Sequence, residues 1–554
     1  MNSRTLVSVF FGLLVIVVSS STFSGTLSTD YTNVTVSATK TVFDSVNYAN
    51  VTVLEAKTMI DSNSFLVVLD VRNQSEYLAS HVRNAKLIPL FELQERLNEL
   101  NVSDQILVYC EAGGRSATAS QTLVDNGFLH VFNMLGGMTD WMREEYPVYV
   151  RYASIQEAIS NATDGETVYI SAGFYTEHLS VNRSVALVGE DKHTTIVDGT
   201  ANGTVFHVNA DNVSISDFTI QNSGCACSGY CGVNVEGYHR NINVTNNIFV
   251  ADGYGIQLYG AREVTIAYNN ITSTSNSCTI RNSSKVFVLE NNIADNFNGL
   301  EIDNSSESTF SGNVVFDSVT GISVSDSNNN TFFDNYLSSN IFYGFHISRS
   351  NDNSMFHNNF LGNGLQVSTS NSTNFWDNGF EGNCWSDYAG SDVNLDGLGD
   401  VPHVIDSENR DNFPLMGMFQ SFNTSLNWKV DVVSNSTINS FEYLETNRAI
   451  KLQVSSTAAG QTYGFCRIRI PHILIDPSNG SILVVIDNGQ TPVLFLNSAL
   501  YDNGTHRWIY FTYAHSIREI LIVPEYRMSL VLSLFMTVAV MVTVAYWRKR
   551  IPTK

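Results

Sequence analysis

The sequence predicts a multidomain chain: an α/β domain, a right-handed parallel β-helix, a β-sandwich and a C-terminal transmembrane helix. Three observations carry that expectation. Two short apolar runs, residues 65–69 and 106–109, alternate with helical spacing, as in a buried parallel sheet. A period near 22 residues recurs between residues 201 and 400. Residues 528–547 contain no charged side chain. The length of 554 residues accommodates about three or four domains at ~100–200 residues each.

Composition narrows the function classes. Acidic residues outnumber basic ones 53 to 30, for a net charge of −23, and no basic stripe is present. Nucleic acid is therefore not an expected partner. Of 58 asparagines, 34 lie between residues 201 and 400, which marks that stretch as a separate repetitive domain.

The two ends read as membrane-directed. Arg4, an apolar run over 6–18 and the small polar Ser19, Ser20, Ser21 and Thr22 fit a signal peptide over 1–24, either cleaved or kept as an anchor. A linker over 25–49 follows. Residues 528–547 reach across a ~30 Å hydrocarbon core at ~1.5 Å per residue. Arg548, Lys549, Arg550 and Lys554 follow, so 548–554 is expected in the cytoplasm and the rest outside. The 18 Asn-x-Ser/Thr sequons agree with export of a glycoprotein. Val523-Pro524-Glu525 resembles the juxtamembrane ends of archaeal surface proteins.

In residues 50–150 the first apolar run ends in Asp70-Val71-Arg72, and the second delivers Cys110. Glu111, Ala112, Gly113, Gly114, Arg115 and Ser116 follow, then helical spacing over 117–124. A strand, a glycine loop and a helix aim backbone N–H groups at one spot, where a cysteine gains a lowered pKa. Arg115 adds a fixed positive fork. These residues resemble a single-domain rhodanese. So do Glu76-Tyr77, Ser80-His81-Val82, Ala85, Ile88-Pro89, the run from Asn133 to Met138, and Trp141. The resemblance implies a persulfide-carrying nucleophile at Cys110, stabilised by Arg115 and the loop amides and supported by Asp70 and Arg72. It implies a sulfane-sulfur donor and acceptor as partners, and no required cofactor. Glu111 places a carboxylate beside the nucleophile, which disfavours a dianionic donor such as thiosulfate.

Residues 152–415 carry the repeat. Asn246, Asn269, Asn291, Asn313, Asn335, Asn358 and Asn378 are spaced by 23, 22, 22, 22, 23 and 20 residues. A second register pairs a small residue with an apolar one, from Gly232-Val233 to Gly364-Leu365. The reading is a β-helix of about ten or eleven coils, with asparagines stacked in left-handed turns. Its first coils resemble those of pectate-lyase-like β-helices. Its far end, with Trp376, Cys384-Trp385 and Asp411-Asn412-Phe413-Pro414-Leu415, resembles the NosD-like family. That resemblance leaves scaffold, glycan-binding and glycan-cleaving roles open. No convincing carboxylate cluster stands out on the repeat.

Asp392, Asn394, Asp396 and Asp400 have the alternating oxygens of a calcium loop, or else form an acidic turn. Cys225, Cys227 and Cys231 read as a disulfide such as Cys225–Cys231, with a soft-metal site or free thiols as alternatives. Cys278 and Cys466 fall at core positions. Residues 420–523 alternate with Asn/Gly turns and read as a β-sandwich stalk. The expected whole is a single-span cell-surface protein with a sulfur-transfer domain and a binding or scaffold β-helix. The alternative is a structural or carbohydrate-binding surface protein whose rhodanese domain is secondary or inactive.

Overall fold

The computed structural model describes residues 48–476, 481–487, 493–498, 500–514 and 518–524. The expected signal peptide, nearly all of the linker, the transmembrane helix and the tail lie outside them. Among the described residues no helix is long and apolar enough to cross a membrane. The chain divides into two compact units. One comprises residues up to 72 together with 88–140, and the other comprises 73–87 and 141 onward.

The first unit is a parallel sheet with strands in the order Ala49–Val51, His130–Met134, Gln105–Tyr109, Val67–Asp70. The helix Val53–Ser62 starts at a capping box. Thr52 Oγ1 accepts the Glu55 N–H, and the Glu55 carboxylate accepts the Thr52 N–H. Leu69, Ile106, Val108, Leu123 and Val131 form its core. The first apolar run is only partly strand. Phe65 is 88% exposed, because Asn63 Oδ1 accepts its N–H and turns the chain before the strand begins.

The second unit includes residues 73–87. His81 and Glu190 are buried and meet at 3.0 Å. Glu190 also accepts the N–H groups of Asn84 and Ala172, both at 2.8 Å. Burial pushes its carboxyl up, but His81 and these donors outweigh burial and hold it below the ordinary value.

Three parallel sheets of ten, nine and nine strands make the β-helix, each taking one strand per coil. The ten-stranded sheet falls within the expected ten or eleven coils, and the other two sheets hold one strand fewer. The helix Ile155–Asn161 buries Ile155 and Ile159 in the same core as the first coils. Val233, Ile256, Cys278, Leu300, Ile322 and Phe345 stand in one inward column. Gly299 and Gly321 are small of necessity: a Cβ on either would lie 2.4 Å from a carbonyl of the next coil. The last rung of this register is Gln366-Val367 rather than Gly364-Leu365, since Val367 pairs with Phe345.

The asparagine ladder is present, and it differs from the expected series only at its two end members. Its buried members are Asn247, Asn269, Asn291, Asn313, Asn335, Asn358 and Asn383. Asn246 and Asn378 are not among them. Each Oδ1 accepts the N–H of the ladder residue one coil earlier, as Asn313 does from Asn291 at 3.1 Å. Each Nδ2 reaches back to a carbonyl of the preceding coil, as Asn313 does to Val288 at 2.8 Å. The left-handed residue is the one before the ladder asparagine. Asn246, Tyr268, Glu290, Asp334 and His357 all have φ between 54° and 59°. The asparagine thus satisfies the backbone of a turn that its neighbour makes.

Trp385 stacks on Phe360 at 4.5 Å and donates to Asp411 at 2.8 Å, closing the far end of the ladder. Two five-stranded antiparallel sheets follow and share a core of Val430, Val432, Ile450, Leu452, Ile468 and Ile509. Cys278, Cys384 and Cys466 are buried thiols.

Candidate active site

Cys110 follows the strand Gln105–Tyr109, whose residues 106–109 are fully buried. Gly113 has φ +92°, which glycine adopts without strain, and it caps the helix Gly114–Asp125. The turn brings the Gly113 N–H to 3.2 Å from Cys110 Sγ. Ser116 Oγ lies 3.5 Å from the sulfur and donates to the Gly113 carbonyl at 3.1 Å.

Burial pushes the Cys110 thiol up. The Ser116 hydroxyl and the backbone N–H groups of Ser116, Ala112 and Gly113 act against burial and prevail, so the thiol lies below its ordinary value. The loop carbonyls are held the other way. Met138 N–H donates to Cys110 O at 2.9 Å, and Thr139 N–H donates to Glu111 O at 3.0 Å. Gly137 makes this approach feasible, since a Cβ there would lie 2.2 Å from Cys110 O. With the carbonyls of 110 and 111 tied back, the amides are left facing the sulfur.

Asp70 and Arg72 are buried together. Arg72 Nη2 and Nε meet the Asp70 carboxylate at 2.8 and 3.0 Å, and Arg72 Nη1 meets Glu111 Oε2 at 3.2 Å. Arg72 also lies 5.6 Å from the centroid of the Tyr109 ring. It therefore braces the loop through Glu111, whose side chain is 43% exposed. Ala112 and Gly114 are exposed on the loop, and Arg115 is half-buried beside it.

Residues 52–144 match the family described as rhodanese-like domain, and residues 203–361 match the right handed beta helix region. A thiosulfate sulfurtransferase of Coxiella burnetii, GlpE, is 36% identical over 76 residues, covering 14% of this chain and 71% of that protein. The chain belongs to the rhodanese-like family. YrkF of Bacillus subtilis, named for sulfur carriage, is 44% identical over 76 residues, covering 14% of this chain and 41% of its own. A second Bacillus subtilis protein, YqhL, is 36% identical over 74 residues. The chain spans 41% and 59% of these two relatives. A solved rhodanese-related protein from Thermoplasma volcanium is 31% identical, with 19% of this chain covering all of it at a TM-score of 0.18.

Outside the rhodanese loop, the remaining sequence-derived sites fare differently. The expected Cys225–Cys231 bridge is replaced by Cys225–Cys227. Cys231 opens the strand Cys231–Glu236 and its side chain is buried, in contact with Gly229 O and Gln257 Oε1 at 3.3 and 3.2 Å. Asp392, Asn394, Asp396 and Asp400 do share one loop, but their oxygens are engaged. Asp392 accepts the N–H groups of Asp396 and Gly397, Asp396 that of Leu398, and Asp400 that of Val393, and Asn394 donates to Asp396. Among the described residues no group of three or more His, Cys, Asp or Glu side chains is arranged to hold a metal ion.

Two polar groupings were missed. Asn234, Gln257, Thr279, Glu301, Ser323 and His346 stand in register on one sheet of the β-helix. Glu301 accepts from Asn276 at 2.5 Å and from Arg281 at 2.7 Å, and Tyr343 stacks on His346. Writing the sequence in rows of 22 would have aligned them. The second grouping is the buried set His357, Glu381 and Arg467. It joins residues 86 apart, and no local spacing signals it.

Proposed function

We propose that this chain is a persulfide-type sulfurtransferase acting at Cys110, carried with a β-helix scaffold on the outer face of a membrane. The single observation that carries the chemistry is the cradle of N–H groups and hydroxyl around Cys110 Sγ, with the Gly113 N–H at 3.2 Å. A thiolate held this way attacks the outer sulfur of a donor. The donor's S–S bond breaks, its remainder leaves as an anion, and Cys110 carries a persulfide in the same cradle. An acceptor nucleophile then takes the outer sulfur and returns Cys110 as thiolate. Asp70 and Arg72 support the loop, and Arg115 supplies positive charge beside it. No cofactor is needed for these steps.

Chain loaded with persulfide and treated with cyanide is expected to yield one thiocyanate per loaded Cys110, and Cys110→Ser none. Equal yield from the variant would remove the assignment.

Surface anchoring rests on the uncharged stretch 528–547 and the basic residues after it. The loop of Asp392 and Asp400 is read as a turn braced by its own backbone N–H groups rather than by calcium. Removing calcium with a chelator is expected to leave the melting temperature unchanged, and a fall of several degrees would restore the calcium reading.

A second reading, binding of surface glycans by the β-helix, is favoured by the column that runs through Glu301 and His346. Its amides, the Arg281–Glu301 pair and the Tyr343 ring suit hydroxyl-rich ligands. A glycan array with the full chain tests it, and loss of a signal on Glu301→Ala is the expected outcome.

A further inference from the structure

We propose that Cys225–Cys227 is a redox-active disulfide that exchanges with external thiols, a role separate from sulfur transfer at Cys110. Its span, its exposure and its surroundings point to it. The bridge joins residues two apart in sequence. A disulfide restrains the unfolded chain more the longer the loop it closes, so this one contributes little to holding the fold. Both cysteines are exposed, and exposed bridges are the labile ones.

The loop keeps its place by other means. Gly253 lies directly beneath it: a Cβ there would fall 2.6 Å from Ala226 N and 2.7 Å from both Gly224 O and Tyr230 O. The Tyr254 N–H donates to Tyr230 O at 3.0 Å, and the Ser275 N–H to Gly253 O at 3.1 Å. Opening the bridge therefore leaves the platform beneath it tied to the β-helix.

The two sulfurs are not equivalent. The Cys227 N–H donates to Cys225 Sγ at 3.1 Å, which favours Cys225 as the departing thiolate. An incoming thiolate then attacks Cys227 Sγ. The Cys225–Cys227 bond breaks, a mixed disulfide forms on Cys227, and Cys225 leaves carrying the electron pair. A second thiolate attacks the substrate sulfur of the mixed disulfide and releases Cys227. Two thiols have become one disulfide, and their two electrons and two protons rest on the cysteine pair. An external disulfide reverses the sequence.

Cys231 stays out of this exchange. Its thiol is buried against Gly229 O and Gln257, so the pair works beside a third cysteine without reshuffling to it.

The experiment uses the full chain carrying Cys110→Ser, so that the rhodanese thiol adds nothing to the count. The folded protein is equilibrated with millimolar reduced glutathione, quenched in acid, alkylated and mapped by peptide mass spectrometry. The expected result is a gain of two alkylated thiols, at Cys225 and Cys227, with early glutathione adducts on Cys227 and an unchanged melting temperature. The Cys225→Ser/Cys227→Ser double variant should show no gain. A bridge that stays closed in the folded chain would overturn the proposal. So would a melting temperature that falls by several degrees on reduction, or recovery of Cys231 in the bridge.

Discussion

Burial alone would keep the proton on Cys110, and what offsets it is a short set of donors whose positions depend on residues elsewhere in the loop. Gly137 matters as much as the loop glycines, because it lets the Met138 and Thr139 amides bind the carbonyls of 110 and 111. Glu111 is the residue where charge is decided. Arg72 compensates it at 3.2 Å, yet a carboxylate still borders the entry to the sulfur. Replacing it by glutamine is expected to raise kcat/KM for thiosulfate by about tenfold, the size of a screened repulsion between one charge and a dianion at roughly 6 Å in water. A neutral organic persulfide should gain much less. Measuring both donors with Glu111→Gln checks this, and an equal gain for the two would point to sterics instead of charge.

At the scale of the element, the asparagine ladder replaces charge as the polar component of the β-helix. Asn313 takes two donors from Asn291, donates to Val288 O and donates to Asn335 Oδ1. Truncating it leaves buried groups without partners, at about 1–3 kcal/mol each. Asn313→Ala should therefore lower unfolding stability by about 3–5 kcal/mol, read from a denaturant midpoint. A loss below about 1 kcal/mol would mean that water replaces the amide.

The period of this ladder was legible in the sequence, and so was its phase over the five middle rungs, but not at its two ends. Asn246-Asn247, Asn269-Asn270, Asn291-Asn292 and Asn358-Asn359 are doublets, and either member satisfies a spacing rule. Which one turns inward depends on the left-handed residue before it, and that residue can be Tyr268, Glu290 or His357. The local geometry of the rhodanese loop was legible, because a strand, a cysteine, a glycine turn and a helix are contiguous. The cysteine pairing was not, since spacing alone cannot say that Cys231 begins a strand with its side chain inward.

For the second unit as a whole, the buried cluster of His357, Glu381 and Arg467 links the end of the β-helix to the sheets that follow. His357 meets Glu381 at 3.0 Å and Asp334 at 3.5 Å, and stacks on Phe419 at 4.0 Å. Arg467 and Trp508 reach the other Glu381 oxygen at 2.8 and 3.1 Å. Burial works against the charged imidazole, but Asp334 and Glu381 prevail and raise it from 6.5 to about 8. Because the folded value is the higher one, the stabilisation is fully present below pH 6.5 and is lost as pH rises through 8. It amounts to about 2 kcal/mol at ~1.4 kcal/mol per pH unit. The melting temperature should fall across that window, and His357→Gln should flatten the fall. An unchanged slope in the variant would assign the titration to another group.

The ladder ends on a side chain of a different kind. The Asn383 N–H donates to Asp411 Oδ2 at 2.7 Å, and that oxygen also takes the Trp385 indole N–H at 2.8 Å, with no amide of its own to pass the series on. The series of amides thus has a direction and a stop, and every interior rung is chemically interchangeable with the next. Length in such a molecule is a matter of counting. Duplicating one 22-residue row between Asn291 and Asn313 would add a rung and alter neither the starting helix nor the terminator, so the reach of the β-helix can change in whole coils while its two ends stay as they are.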